Sequence, residues 1–175
     1  MNTLTLPFTS EELPERAGGS EYNRVHFSSE SHVWETPCEV FRKYDDRFNF
    51  TLDACALPEN AKCLRYFSPE NDGLTQEWRG VVWCNPPYGR NILPRWIKKG
   101  YQSACSGATV VMLLPANTDT KWFHDFCIRG EVCFLQGRIR FSESKNTAPF
   151  ASMIVVFYPP KEAKGQRVTH ATRPA

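Results

Sequence analysis

The residues with the most chemical content are Asn85-Pro86-Pro87-Tyr88, inside the stretch VVWCNPPYGR at 81–90. An asparagine amide stands on one side of two prolines and an aromatic ring on the other. Proline fixes φ and carries no N–H, so the turn is stiff and its carbonyls stay free to accept hydrogen bonds. The Asn85 side-chain carbonyl and the Pro86 backbone carbonyl are then two acceptors held close together, able to take both hydrogens of a planar –NH₂ group. Accepting them draws the nitrogen lone pair out of conjugation and aims it at an electrophile. The Tyr88 ring offers a flat heterocycle a face on which to stack. The pattern favours an amino group on an aromatic base, made nucleophilic without a strong general base. The plain alternative is a rigid strand-to-helix turn with no catalytic role.

Such a turn needs a frame to hold it. Apolar runs predict strands at FNFTLDACA (48–56), CLRYF (63–67), GVVWCN (80–85), ATVVMLLP (108–115), EVCFLQG (131–137) and ASMIVVFY (151–158), with GRIRF (137–141) as a further candidate. Helical patterns fall between them. TPCEVFRKYDDRF (36–48) opens with Thr36 as N-cap and Pro37 at the first helical position. LPRWIKKGYQSACSG (93–107) and DTKWFHDFCIRG (119–130) each end at a glycine. Alternation of this kind predicts an α/β fold, a mostly parallel sheet with helices on both faces. Ligands of such sheets bind outside the carboxyl ends of the strands. Asp53, Asn85 and Pro115 lie at such ends, so three loops are expected to converge on one cleft.

The 175 residues suit a single domain with a sizeable core, and 41% hydrophobic and 13% aromatic residues suit a globular one. Twenty-one basic and 19 acidic residues leave a net charge of +2, which neither demands nor excludes a nucleic-acid partner. Seven cysteines at scattered spacings, none in a C-x-x-C pair, argue against a zinc cluster or disulfide framework and for a reducing, cytoplasmic setting. No apolar run approaches the ~20 residues of a membrane helix, and no metal site or signal sequence is read. Residues 1–30 read as a flexible polar arm, 31–158 as the folded domain and 159–175 as a disordered basic tail.

Taken in order, WETP (34–37), LDACALPENAK (52–62), YFSPENDGL (66–74), W-x₄-WCNPPYG (78–89), VVMLLPANT (110–118) and GRIRF (137–141) resemble the phage-type DNA N-6-adenine methyltransferase (Dam-like) family. The resemblance covers residues 30 to 158. It implies a Rossmann-like methyltransferase fold and transfer of a methyl group from S-adenosylmethionine to the exocyclic amino group of an adenine flipped out of DNA. Asn85, Pro86, Pro87 and Tyr88 would hold the adenine. Trp34, Thr36 and Pro37 match a segment that contacts the methionine end of the cofactor. Asp53 and Ala54 match the first cofactor loop, and Asp72 an acceptor for the cofactor's adenine amino group. The usual glycine-rich loop is replaced by LPEN, leaving Glu59 and Glu70 as candidates for the ribose hydroxyls. A phage or prophage source acting in a bacterial host cell, as monomer or weak homodimer, is also implied.

Several of these residues have plainer readings. An aspartate at a strand end such as Asp53 caps turns, and Asn71-Asp72-Gly73 is itself an ordinary turn sequence. The five tryptophans read mostly as core, with Trp34 and Trp96 the two that could stack a base. His124 reads as a surface or packing residue. Arg90, Arg95, Arg138, Arg140 and Lys145 are candidates for DNA contacts, with a solvated loop as the equal alternative for the last three. Among functions, methylation of RNA or of a protein glutamine, and a catalytically inactive DNA-binding relative, remain the rivals.

Overall fold

The structure, a computed structural model, describes residues 34–141, 147–161 and 167–172. Its centre is a six-stranded mixed sheet in the order β1-β2-β3-β5-β4-β6. The strands are β1 (Leu52–Asp53), β2 (Val81–Cys84), β3 (Thr109–Pro115), β4 (Glu131–Gln136), β5 (Ser152–Phe157) and β6 (Arg167–Thr172). β1, β2 and β3 run parallel; β5 is antiparallel to β3 and β4, and β6 is parallel to β4. The expected parallel arrangement therefore holds for the first half of the sheet, while the second half is mixed.

Period-two alternation divides the core between the two faces. Val110, Met112 and Leu114 of β3 and Met153 and Val155 of β5 pack beneath α2 (Leu93–Cys105) and α3 (Lys121–Asp125). Val111, Leu113, Ile154 and Val156 point the other way, toward α1 (Cys38–Phe48). Helix α2 buries Leu93, Trp96, Ile97, Gly100 and Ala104, the stripe of an amphipathic helix. Helix α1 buries Val40, Phe41 and Tyr44. It stops where Asn49 turns left-handed at φ 55° and donates its N–H to the Asp45 carbonyl. The Asp45 carboxylate then accepts the Phe50 N–H at 2.8 Å. Asparagine tolerates this backbone region better than most residues.

Strands β2 to β5 match the apolar runs closely; the weaker predictions give way. Only Leu52–Asp53 of 48–56 is strand, and 63–67 contributes a single bridge, Asp53 to Tyr66. Leu64 and Arg65 in that segment are exposed, so no buried face extends the pairing. GRIRF is not a strand, because Gly137 at φ +81° turns the chain out of β4. The predicted third helix breaks into α3 and a 3₁₀ turn, Cys127–Arg129. The tail read as disordered carries β6 at 167–172, paired residue by residue with β4. The polar arm, 1–30, lies outside the described residues.

The topology gathers several loops at one edge of the sheet. The carboxyl ends of β1, β2 and β3 share that edge because the three are parallel. β5 enters there, with Ser152 opposite Pro115, and β4 leaves there, with Phe134 opposite Met153. The connection between β4 and β5 consequently arrives beside the carboxyl end of β3, and the Ala148 N–H donates to the Ile139 carbonyl at 2.8 Å to draw its two limbs together.

Candidate active site

Asn85 follows the last residue of β2, and its amide orientation is set by its neighbours. Nδ2 donates to the Trp34 carbonyl and, at 3.0 Å, to the Thr36 hydroxyl oxygen. The Trp34 carbonyl can only accept, so the amide end that faces it is the nitrogen and Oδ1 is the other end. Oδ1 accepts the Tyr88 hydroxyl at 2.9 Å and keeps further acceptor capacity. The Tyr88 hydroxyl also lies 3.2 Å from the Leu113 carbonyl oxygen, and burial pushes its pKa well above the ordinary phenol range. This hydroxyl stays protonated and acts as a fixed donor.

Thr36 is therefore turned away from the helix it was expected to cap. The cap position of α1 is Pro37, extended at ψ 140°, and no side chain caps the helix. Thr36 sits one residue further out, 4% exposed, with its oxygen occupied by Asn85. This segment is a brace for the turn at 85–88.

An open cleft of about 430 Å³ lies beside the turn, lined by Trp34, Thr36, Asp53, Asn85, Pro86 and Pro87 among others. Sequence reasoning missed Glu35, Cys55, Ala56, Leu57, Asn60, Lys62 and Trp83 in its wall. Glu35, Cys55 to Leu57, Asn60 and Lys62 belong to the quoted stretches WETP and LDACALPENAK, so motif membership was the available signal. A second hollow, about 210 Å³, shares Cys55 and is lined by Phe67, Ser68, Pro69, Asp72, Gly73 and Trp96. Cys55 stands in the wall of both, with Asn85 lining the first and Asp72 the second. Ala54 is fully buried, with its N–H bonded to the Trp83 carbonyl, and lines neither space. Pro115 is buried and also stands outside both.

Asp53 is 3% exposed, and its two carboxylate oxygens accept the Cys55 N–H at 3.3 Å and the Lys62 N–H at 3.1 Å. Burial pushes its pKa up to about 6, the two backbone donors and the Lys62 charge pulling the other way. Asp53 thus organises the loop that forms the cleft wall as well as lining it. Asp72 sits at φ 48° with Oδ1 accepting the Leu74 N–H at 3.2 Å, a local turn bond. Glu59 and Glu70 are exposed and line neither space.

Four aromatic rings stand together over the turn. Trp34 contacts Phe141 at 5.1 Å and Phe150 at 5.4 Å between centroids. Tyr88 meets Phe150 edge-on at 5.5 Å and Phe141 at 6.3 Å. Phe141 and Phe150 come from the two limbs of the β4–β5 connection and were not singled out from sequence. Trp96 packs tilted against Trp78 at 6.0 Å between centroids and is 4% exposed. His124 is exposed against Phe123. Arg90, Arg95, Arg138 and Arg140 are all exposed; Lys145 lies outside the described residues. Among the described residues no group of three His, Cys, Asp or Glu could hold a metal, and no helix is long and apolar enough to cross a membrane.

A family profile described as DNA N-6-adenine-methyltransferase (Dam) matches residues 25–174. The chain is 38% identical over 144 residues to a DNA N-6-adenine-methyltransferase of Haemophilus phage HP1 (strain HP1c1), covering 75% of this chain and 81% of that one. It is 36% identical over 94 residues to a DNA N-6-adenine-methyltransferase of Escherichia phage T1, covering 52% of this chain and 39% of that one.

Proposed function

This chain belongs to the DNA N-6-adenine-methyltransferase (Dam) family, and from that membership we infer that it methylates the exocyclic amino group of adenine in DNA. We propose that the donor is S-adenosylmethionine, the fold Rossmann-like, and the reacting centre Asn85-Pro86-Pro87-Tyr88. The observation that carries this reading is the fixed Asn85 amide: its nitrogen is committed to Trp34 and Thr36, leaving the oxygen as an acceptor for the substrate amino group.

S-adenosylmethionine supplies a methyl group made electrophilic by its sulfonium centre. The cleft suits such a molecule, with polar side chains at Glu35 and Lys62 and apolar walls at Ala56, Leu57 and Trp83, and the second hollow lies across Cys55 at Phe67 and Asp72. In this reading Trp34, Thr36, Pro37, Asp53, Ala54 and Asp72 frame the cofactor, Ala54 and Pro37 through backbone placement. Asn85 Oδ1 and the Pro86 carbonyl take the two amino hydrogens of adenine. Their negative ends stabilise the positive charge that develops on the attacking nitrogen, and the nitrogen gives up a proton after transfer. Acceptors preorganised in a partly dry site need no reorientation as that charge grows.

Adenine must leave the duplex to reach this turn, which costs a few kcal/mol. Stacking on Tyr88, at about 1–3 kcal/mol per base, offsets part of it. The Phe141 and Phe150 rings both meet Tyr88 in T-shaped contacts that help hold it in place. Arg90, Arg95, Arg138, Arg140 and Lys145 are proposed to meet the phosphates, which would make binding weaken steeply with salt. We further propose a phage-encoded enzyme acting in the host cytoplasm, as monomer or weak homodimer.

The test offers labelled S-adenosylmethionine with unmethylated duplex DNA, RNA and a protein mixture side by side, followed by nucleoside analysis. Label recovered as N6-methyladenine from DNA is the expected result. Label only in RNA or in glutamine would refute the substrate assignment.

A further inference from the structure

Asn85 stands between two loops of the sheet edge. The order β1-β2-β3 puts the cleft on the β1 side, where one wall is built from Asp53, Cys55, Ala56, Leu57, Asn60 and Lys62. The loop after β3, residues 116–120, is on the other side, and none of its residues lines that cleft. Methyl transfer is in line: the amino nitrogen attacks the methyl group from the side opposite the departing sulfur. A donor on the β1 side of Asn85 therefore leaves the β3 side for the adenine and for the duplex it came from.

The register sets the height of this loop. Cys84 is paired with Met112, so Asn85 comes level with Leu113, whose carbonyl the Tyr88 hydroxyl reaches at 3.2 Å. β3 runs on to Pro115, two residues or about 7 Å further, on a line about 4.8 Å to the side of β2. The loop thus stands past the catalytic turn, toward the DNA. Its backbone is held: the Ala116 N–H donates to the Ala151 carbonyl at 2.8 Å, and the Thr120 hydroxyl to the Asn117 carbonyl at 2.7 Å. Asn, Thr and Asp in a turn ordinarily direct their side chains to nearby backbone groups. Here Thr120 does so, whereas Asn117, Thr118 and Asp119 are exposed and their side chains make no hydrogen bond among the described residues. No side chain caps α3, which follows.

The residue types decide which part of DNA such a loop would meet. None from 116 to 120 is cationic, and Lys121 is paired with Asp125 at 2.7 Å. Phosphate contacts draw on Lys and Arg, and the Asp119 carboxylate is repelled by the backbone. A carboxylate accepts from the amino group of cytosine, and a carboxamide takes adenine N6 and N7 together, both in the major groove. We propose that Asn117 and Asp119 are specificity-determining residues that read base pairs flanking the flipped adenine, Asn117 an adenine and Asp119 a cytosine. The inference rests on the reading of DNA adenine as substrate.

The test gives the full chain a duplex library with randomised positions around one adenine, and sequencing of N6-methyladenine reads the rate in each context. Wild type is expected to favour one sequence. Discrimination should fall about 5- to 150-fold at one A·T position for Asn117→Ala and at one G·C position for Asp119→Ala, the other positions keeping their ranking. Asn117→Gln keeps the carboxamide and should retain part of the preference. Unfolding midpoints and donor affinity should match wild type. Variants that rank every context as wild type does would overturn the inference. So would a loss equal in all contexts, which is what a damaged loop or a lost backbone contact produces. Wild type methylating adenine equally in every context would overturn it and leave adenine methylation standing. No N6-methyladenine in any context would overturn both.

Discussion

Asn85 shows how a few hydrogen bonds choose between the two ends of an amide. With Nδ2 held by Trp34 and Thr36, rotation of the amide would set the Trp34 carbonyl oxygen against its Oδ1 with no proton between them. The motif made Asn85 conspicuous in the sequence, but its partners are 49 and 51 residues away and could not be read from spacing. Tyr88 gains a role in the same way. Its ring was legible as a stacking face, whereas the bond from its hydroxyl to Asn85 depends on how the turn folds. Tyr88→Phe should lower kcat by about threefold to tenfold, the net worth of one hydrogen bond. Tyr88→Ala should cost about a hundredfold or more, because stacking goes as well. Steady-state rates on a duplex substrate check this, and equal losses would remove the ring from the account.

Asp53 titrates at the same scale. Its folded pKa of about 6 lies above the ordinary 3.8, so the native state binds more protons than the unfolded chain between those values. Its stabilising contribution is complete below about pH 4 and is lost as pH rises through about 6, by on the order of 3 kcal/mol. The unfolding free energy of wild type minus that of Asp53→Asn should fall across that window. A flat difference would mean that the buried carboxyl keeps its ordinary pKa.

At the scale of elements, legibility followed burial. β3 and β5 are buried along nearly their whole length, so their apolar runs announced them. β1 is two residues long, and the path from residue 54 to 80 makes turns and bends rather than the helix that parallel strands usually require. That path is held by side chain-to-backbone bonds, such as Asp53 to Lys62 and Trp78 Nε1 to the Gly73 carbonyl at 2.7 Å. Such bonds leave no periodicity to read. Gly73 is the tightest point, since a Cβ there would run into the Ala54 carbonyl oxygen and the Trp96 ring. Gly73→Ala should destabilise the protein by about 1–3 kcal/mol, the cost of overpacking, and should weaken donor binding because Asp72 moves with it. Chemical denaturation measures the first effect and calorimetry the second; a neutral outcome in both would show that this loop can shift freely.

At the scale of the whole molecule, the sheet is the device that brings distant segments to one edge. Its order places the β4–β5 connection beside the carboxyl end of β3, and from there Phe141 and Phe150 meet Trp34 and Tyr88. Strand content alone could not predict that meeting, because it depends on β5 inserting antiparallel between β3 and β4. The same order explains β6: a polar tail with few apolar residues pairs through its backbone at the outer edge of β4. The central claim concerns neither sheet nor tail but the amide they position. The most direct measurement is single-turnover methyl transfer to unmethylated duplex DNA by Asn85→Ala, alongside its affinity for the donor. Removing one preorganised acceptor should slow transfer by about 10²–10³-fold while donor affinity stays within a few-fold of wild type. Transfer near the wild-type rate, or loss of donor binding in proportion to loss of rate, would contradict the role given to Asn85.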